Sequence, residues 1–318
     1  MNSVQVLALG IGEAMETQYD LFIAALGYES RSTAIAKALL KPAHSRLALG
    51  FNHNQVLSYE SNRQWFALNE YAVEANLHDD DFSYAFTKHL TTALSEASRL
   101  ESSCFRIAID ISCFDRRRLA FFVDHFRNLG RTEISVDFLY SIAAFVPPHP
   151  VLGRNEVAGP VHRRFAGRFL DPGRPLALVA GLGYEIGKVV GVAEYVQASR
   201  VLALIPQSPV VEYEGEVVNA NKALLTDLPS EDVLYYQLDD PRRTVATLDA
   251  VVRGLAHSHN VVLLPGGPKM FALCCLLTQT LQPDVSVWRV SSGSSIAARE
   301  ISPSGLAIGV RVSSKIVS

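Results

Sequence analysis

The sequence is poor in cysteine: the four it has, Cys104, Cys113, Cys274 and Cys275, include no C-x-x-C pair. Adjacent Cys274 and Cys275 are awkward disulfide partners for each other, so the thiols are expected to be reduced and mostly buried. An excess of positive charge is missing too. Twenty-nine Lys and Arg against 32 Asp and Glu leave a net charge of −3, which argues against non-specific nucleic-acid binding, where many cations must neutralise phosphates. No apolar run approaches the ~20 residues that span a bilayer, and no basic residue precedes the short apolar run within Met1 to Gly10. A cytoplasmic protein with no membrane association is expected. Neither a G-x-S-x-G elbow nor a G-x-x-x-x-G-K-[ST] phosphate loop occurs, which leaves a serine hydrolase and a P-loop NTPase without local support. His257-Ser258-His259 has no carboxylate or cysteine close in sequence, so no metal site is expected. Gly181 to Gly187 has one residue too many for a dinucleotide turn, and the second strand ends at Leu204-Ile205-Pro206-Gln207 without the acidic residue such a site needs. No cofactor is expected.

What the sequence does contain is an internal repeat. Ala24-Ala25-Leu26-Gly27-Tyr28-Glu29 returns as Ala180-Gly181-Leu182-Gly183-Tyr184-Glu185, 156 positions later. Ser45 to Leu49 and Val56 to Glu60 return at an offset of 154, Ile109 to Arg116 at 153 and Ile134 to Val136 at 151. Small deletions produce such a drift. With 318 residues, two domains of roughly 150 residues are the natural division. Breakers crowd Phe145 to Pro175, including Pro147, Pro148, Pro150, Gly153 and Pro160, which places the boundary near Asp171, with domains 1–170 and 171–318.

In each half, apolar runs of four to eight residues alternate with segments of helical period, the pattern of a parallel sheet buried on both faces. The first half supplies Leu21–Leu26, Leu47–Phe51, Tyr71–Ala75, Phe105–Ile111 and Ile134–Tyr140. The second supplies Leu176–Leu182, Val201–Ile205, Val233–Leu238, Val261–Leu264 and Val285–Val290. Tyr84–Leu100 and Lys269–Leu281 read as amphipathic helices. Val4–Leu9 and Gly305–Val312 have no repeat partner and are expected to cover sheet edges. The fold class is therefore α/β: two tandem Rossmann-like domains with mainly parallel sheets, in a pseudo-twofold arrangement.

Ligands of such sheets bind beyond the carboxyl ends of the strands, where helix N-termini offer N–H groups to anions. Three matched loops fall there. The first carries Gly27, Tyr28, Glu29 and Arg31 in one half and Gly183, Tyr184, Glu185 and Lys188 in the other. Each has a glycine for close backbone approach, an aromatic suited to stacking on a base, a carboxylate to accept from hydroxyls and a cation. The same residues also suit a tight turn with a packed Tyr and a capping Glu. The second loop runs from Asp110 through Ser112 to Arg116, matched by Gly266, Gly267 and Lys269. Arg116 and Lys269 are the candidate phosphate contacts, while Ser112 fits either a phosphate donor or a helix cap, and Asp110 either orients Arg116 or pins the loop. The third, Asn52 to Gln55 and Pro206 to Pro209, reads as turn formers.

The spacing Asp110-x-Ser112-x-x-x-Arg116 resembles the signature of CARF domains, the CRISPR-associated Rossmann-fold sensors, and Gly266-Gly267-x-Lys269 looks like their glycine-rich variant. Leu263 and Pro265 replace the acidic and hydroxyl positions in the second copy, which makes the expected site lopsided. The resemblance implies a nucleotide second-messenger sensor or regulatory subunit of prokaryotic antiviral defence, binding a small and in this family cyclic nucleotide between two halves, and signalling to an effector protein partner or through a homo-oligomer. An enzyme cleaving a nucleotide or its glycosidic bond, with Glu29 or Glu185 as acid-base candidate, and a scaffold subunit are the alternatives. No catalytic residue is assigned.

Overall fold

A computed structural model describes residues 3–41, 43–99, 104–127, 134–148, 157–168, 171–291 and 298–315. The strands are β1 (Ser3–Leu9), β2 (Leu21–Leu26), β3 (Ser45–Gly50), β4 (Ala72–Glu74), β5 (Phe105–Asp110), β6 (Ile134–Ala143), β7 (Val157–Pro160), β8 (Leu176–Gly181), β9 (Arg200–Gln207), β10 (Val233–Gln237), β11 (Asn260–Pro265), β12 (Ser286–Ser291) and β13 (Pro303–Lys315). The helices are α1 (Ile11–Glu16), α2 (Ala34–Ala38), α3 (Tyr59–Leu68), α4 (Asp79–Arg99), α5 (Arg116–Arg127), α6 (Lys188–Tyr195), α7 (Glu212–Ala220), α8 (Lys222–Asp227), α9 (Pro241–Ala256) and α10 (Lys269–Leu281). Every strand expected from the sequence forms, β2 at its expected bounds and the others within a few residues of theirs. Both faces of the central strands are covered: all six residues of β2 are buried, as are the last five of β8. This is why they read as unbroken apolar runs.

The chain is α/β with two mainly parallel, Rossmann-like sheets. Among the described residues the first sheet is ordered β1-β13-β6-β5-β2-β3-β4 and the second β10-β9-β8-β11-β12-β7. The five parallel strands follow the same order in both, with β2 answering to β8, β5 to β11 and β6 to β12. Each parallel block carries an antiparallel strand beside its fifth member: β13 against β6 in the first sheet and β7 against β12 in the second. In each case that strand comes from the other half of the sequence.

Two compact units result, and neither is contiguous. One is formed by Met1–Asp115, Arg127–Ala144 and Ala298–Ser318, the other by Arg116–Phe126 and Phe145–Ala297. A single cut near Asp171 does not describe this division. The breaker-rich stretch contributes β7 and the short turn Arg163–Phe165 to the second unit, while Pro150 and Gly153 lie outside the described residues. The terminal strands also differ from expectation in part. β1 is an outer strand, but β13 lies inside the sheet between β1 and β6.

Each unit has its own core. Phe22, Ala24, Leu26, Phe66 and Leu139 are at the centre of the first; Leu178, Ala180, Val192, Ile205 and Leu264 are at the centre of the second. Helix α10 is apolar around nearly its whole circumference, and Met270 to Gln279 are all buried, as a helix without a polar face must be. Its thiols, Cys274 and Cys275, are pushed well above the ordinary range by burial, which makes them inert. Cys104 and Cys113 are half-buried, and no disulfide joins any of the four among the described residues. No helix among the described residues is long and apolar enough to cross a membrane.

Candidate functional site

In the first unit the candidate residues are tied to one another. The Gly27-Tyr28-Glu29 loop follows β2 and is hooked from α3 by Asn62, whose Nδ2 donates to Gly27 O at 3.0 Å and to Glu29 O at 2.9 Å. Glu29 and Arg31 are 7% and 5% exposed and form an ion pair with each other. The Arg31 guanidinium also donates to Ser141 O at 3.2 Å and sits 5.8 Å from the centre of the Tyr140 ring. Tyr28 packs against the core, and burial, then the Glu29 charge, raises its phenol above the ordinary range. The backbone N–H of Ser30, which opens the next turn, donates to Glu300 at 2.5 Å, and Ser58 Oγ donates to the same carboxylate at 2.8 Å. The place where an anion would meet this turn therefore holds a carboxylate of the chain itself.

Asp110 and Ser112 are also turned inward, 2% and 0% exposed. Ser112 donates to Asp110 Oδ1 through its N–H at 2.9 Å and through its hydroxyl at 2.5 Å, and its Oγ accepts from Ser141 N at 2.8 Å. Such an aspartate turn fixes the loop between β5 and its neighbour β6. Arg116, the third residue of the same spacing, opens α5 and belongs to the second unit.

In the second unit the loops after β8 and β11 meet at close range. A Cβ on Gly266 would lie 2.1 Å from Gly181 O, one on Gly267 2.4 Å from Leu182 O, and one on Gly183 2.9 Å from Gly267 N. Gly267 also has φ of +65°, open to glycine and strained for other residues. These glycines are needed for backbone to pack on backbone. Gly266→Ala is expected to lower the melting temperature, by about 1–3 kcal/mol of stability, because rigid main chain must move. Gly215→Ala in α7, where nothing stands within 4 Å of the new methyl, is expected to leave it unchanged or raise it.

Around this junction lies a narrow cleft of about 20 Å³, lined among others by Arg116, Gly183, Glu185, Lys188, Asn221 and Gly266, room for about one water. Arg116 Nη2 donates to Gly267 O at 2.9 Å. Its Nε–H is buried and finds no hydrogen-bond acceptor among the described residues, a condition that costs free energy until something accepts from it. Lys188, at the start of α6, pairs with Glu185 at 3.1 Å. Partial burial opposes the Glu185 charge, but Lys188 and then Arg116 outweigh it and hold the carboxyl below the ordinary range. Lys269 opens α10 at the end of the Gly266-Gly267 turn and is half-buried. The Tyr184 ring lies nearly parallel to Tyr213, centroids 5.7 Å apart, and Phe145 meets Tyr213 edge-on.

Asn221 hooks this loop as Asn62 does the first, donating to Gly183 O at 2.7 Å. Sequence reading passed over the pair because the two asparagines stand at different distances from the matched Tyr59 and Tyr213. The available signal was an asparagine within or ending the helix after the second strand of each half. No protein-family model and no curated protein sequence matches the chain.

Proposed function

We propose that the chain is a CARF-like nucleotide sensor of prokaryotic antiviral defence, acting in the cytoplasm, whose second unit holds a phosphate of a small nucleotide messenger at the Arg116 cleft. The observation that carries this reading is the buried Arg116 Nε–H, which has no acceptor among the described residues, in a cleft at the carboxyl ends of parallel strands, where α/β sheets bind ligands. A phosphate oxygen satisfies that donor with a charge-assisted hydrogen bond, and Lys188 and Asn221 stand beside it. The interior takes one oxygen, so the nucleoside lies at the mouth. Glu185 then accepts from ribose hydroxyls.

Binding is favoured over cleavage by the state of the two acid-base candidates. Glu29 is buried in an ion pair, and Glu185 is held ionised beside two cations. Glu185 therefore lacks the proton that a general acid must give up, and the Glu29 carboxylate is engaged by Arg31. The experiment is a thermal-shift panel of linear and cyclic mono-, di- and oligonucleotides at fixed salt, with chromatography of each ligand before and after incubation. A ligand that binds only the native state raises the melting temperature. The sensor reading expects a selective shift with intact ligand, and Arg116→Ala is expected to weaken binding about ten- to a hundredfold while costing the free protein little more than one hydrogen bond. A shift with ligand breakdown would mean an enzyme, and no shift with any nucleotide would leave the scaffold.

A further inference from the structure

The outer strands of the two sheets are guarded unequally. β4 is three residues long and contains Glu74. β7 is four residues long and ends in Pro160. β10 has five residues, bracketed in sequence by Asp232 and Asp239. Short length, charge and proline are the usual means by which an edge strand is kept from pairing with another chain. β1 has none of them: it runs seven residues, Ser-Val-Gln-Val-Leu-Ala-Leu, without charge, proline or glycine.

β13 pairs with β1 along its whole length, from Ser3 opposite Lys315 to Leu9 opposite Gly309. The other edge of β1 meets no strand among the described residues. Gln5, Leu7 and Ala8 are exposed, Leu7 at 40%. An open row of main-chain N–H and C=O groups beside exposed apolar side chains is a template for strand addition.

We propose that this edge is the interface of a homodimer, β1 pairing antiparallel with β1 of a second copy about a twofold axis through Val6. Identical strands can pair about such an axis only in antiparallel fashion, which makes the contact isologous and closed. With the axis at the middle residue of Ser3–Leu9, Gln5 of one copy faces Leu7 of the other. Because the strand carries no charge, no like charges oppose each other across the axis. The two seven-stranded sheets become one continuous sheet.

Sedimentation velocity of the full chain over a concentration series tests this. The wild type is expected to sediment with the mass of two chains in the tens of micromolar range. The double variant Gln5→Lys/Leu7→Lys, which sets lysine against lysine across the axis, is expected to sediment as one chain. Gln5→Lys/Leu7→Glu, which sets lysine against glutamate, is expected to restore the dimer. Both positions are exposed, so at concentrations low enough for the wild type to be monomeric the melting curves of the two variants should follow it. A wild type that is monomeric throughout, a lysine pair that still dimerises, or a charge swap that stays monomeric overturns the proposal. Should a variant fail to fold, amide exchange of β1 in the wild type decides: exchange that slows as protein concentration rises supports the dimer, and exchange independent of concentration overturns it.

Discussion

Ending the chain before Ala298 is expected to unfold the first unit and leave the second folded. β13 is an inner strand of its sheet. Its removal strips β6 of its antiparallel partner along most of ten residues and leaves β1 with none. Ile308 and Val310 leave the core, and the Glu300 carboxylate no longer satisfies the Ser30 N–H. A sheet that loses an inner strand has no other partner for the freed hydrogen-bonding groups, and each of them left buried without water costs about 1–3 kcal/mol. The sum exceeds the roughly 5–15 kcal/mol by which domains of this size are stable. Limited proteolysis with mass spectrometry checks it: sites throughout residues 3–115 should become cleavable, while β8 to β12 stay protected. Protection of β2 and β5 in the shortened chain would show that β13 is dispensable. For the same reason the fragments 1–170 and 171–318 should not fold separately, since the first lacks β13 and the second lacks β7.

The exchange of β7 and β13 marks the limit of what the sequence discloses. Strands buried on both faces advertise themselves as runs such as Leu21–Leu26, and the common strand order is legible from the repeat, because βαβ connections are local and have one hand. Which antiparallel strand completes which sheet depends on pairing between residues far apart in the chain, and neither β7 nor β13 carries a pattern that names its partner. The site was legible to the same degree. The sequence placed the candidate loops after β2, β5, β8 and β11, where those strands end, and placed Arg116 and Lys188 in the opening turns of helices, where α5 and α6 begin. Hidden were the inward turn of Arg31 onto Glu29, the pinning of Ser112 by Asp110, and the Glu300 carboxylate at the Ser30 turn, each made by a side chain whose orientation only the folded chain sets. The two copies of the Gly-Tyr-Glu loop have thus diverged in environment more than in sequence: one is closed by its own charges, the other lies at a cleft where a guanidinium N–H has no acceptor among the described residues.

The most damaging single substitution is expected at Asp137, a position that no motif or repeat singles out. Asp137 lies in the middle of β6 and is 1% exposed. Arg311 on β13 grips it with two hydrogen bonds, Nε to Oδ1 at 2.7 Å and Nη2 to Oδ2 at 2.8 Å, and Tyr19 donates to Oδ2 at 2.8 Å. The bond to Asp137 raises the Arg311 guanidinium above its ordinary range, and burial, then the Asp137 charge, pushes the Tyr19 phenol up, so each donor keeps its proton. Arg311 reaches Glu13 at 2.5 Å as well, but Glu13 is more than half exposed and adds little. Asp137→Ala leaves a largely buried guanidinium and a buried hydroxyl without their acceptor and is expected to cost about 3–5 kcal/mol. Paired replacement by apolar residues of similar size, Asp137→Leu with Arg311→Met, removes both charges together and should recover most of that loss. Urea titration followed by circular dichroism distinguishes the cases. If the double variant is no more stable than Asp137→Ala, the carboxylate is needed for something other than pairing β13 to β6.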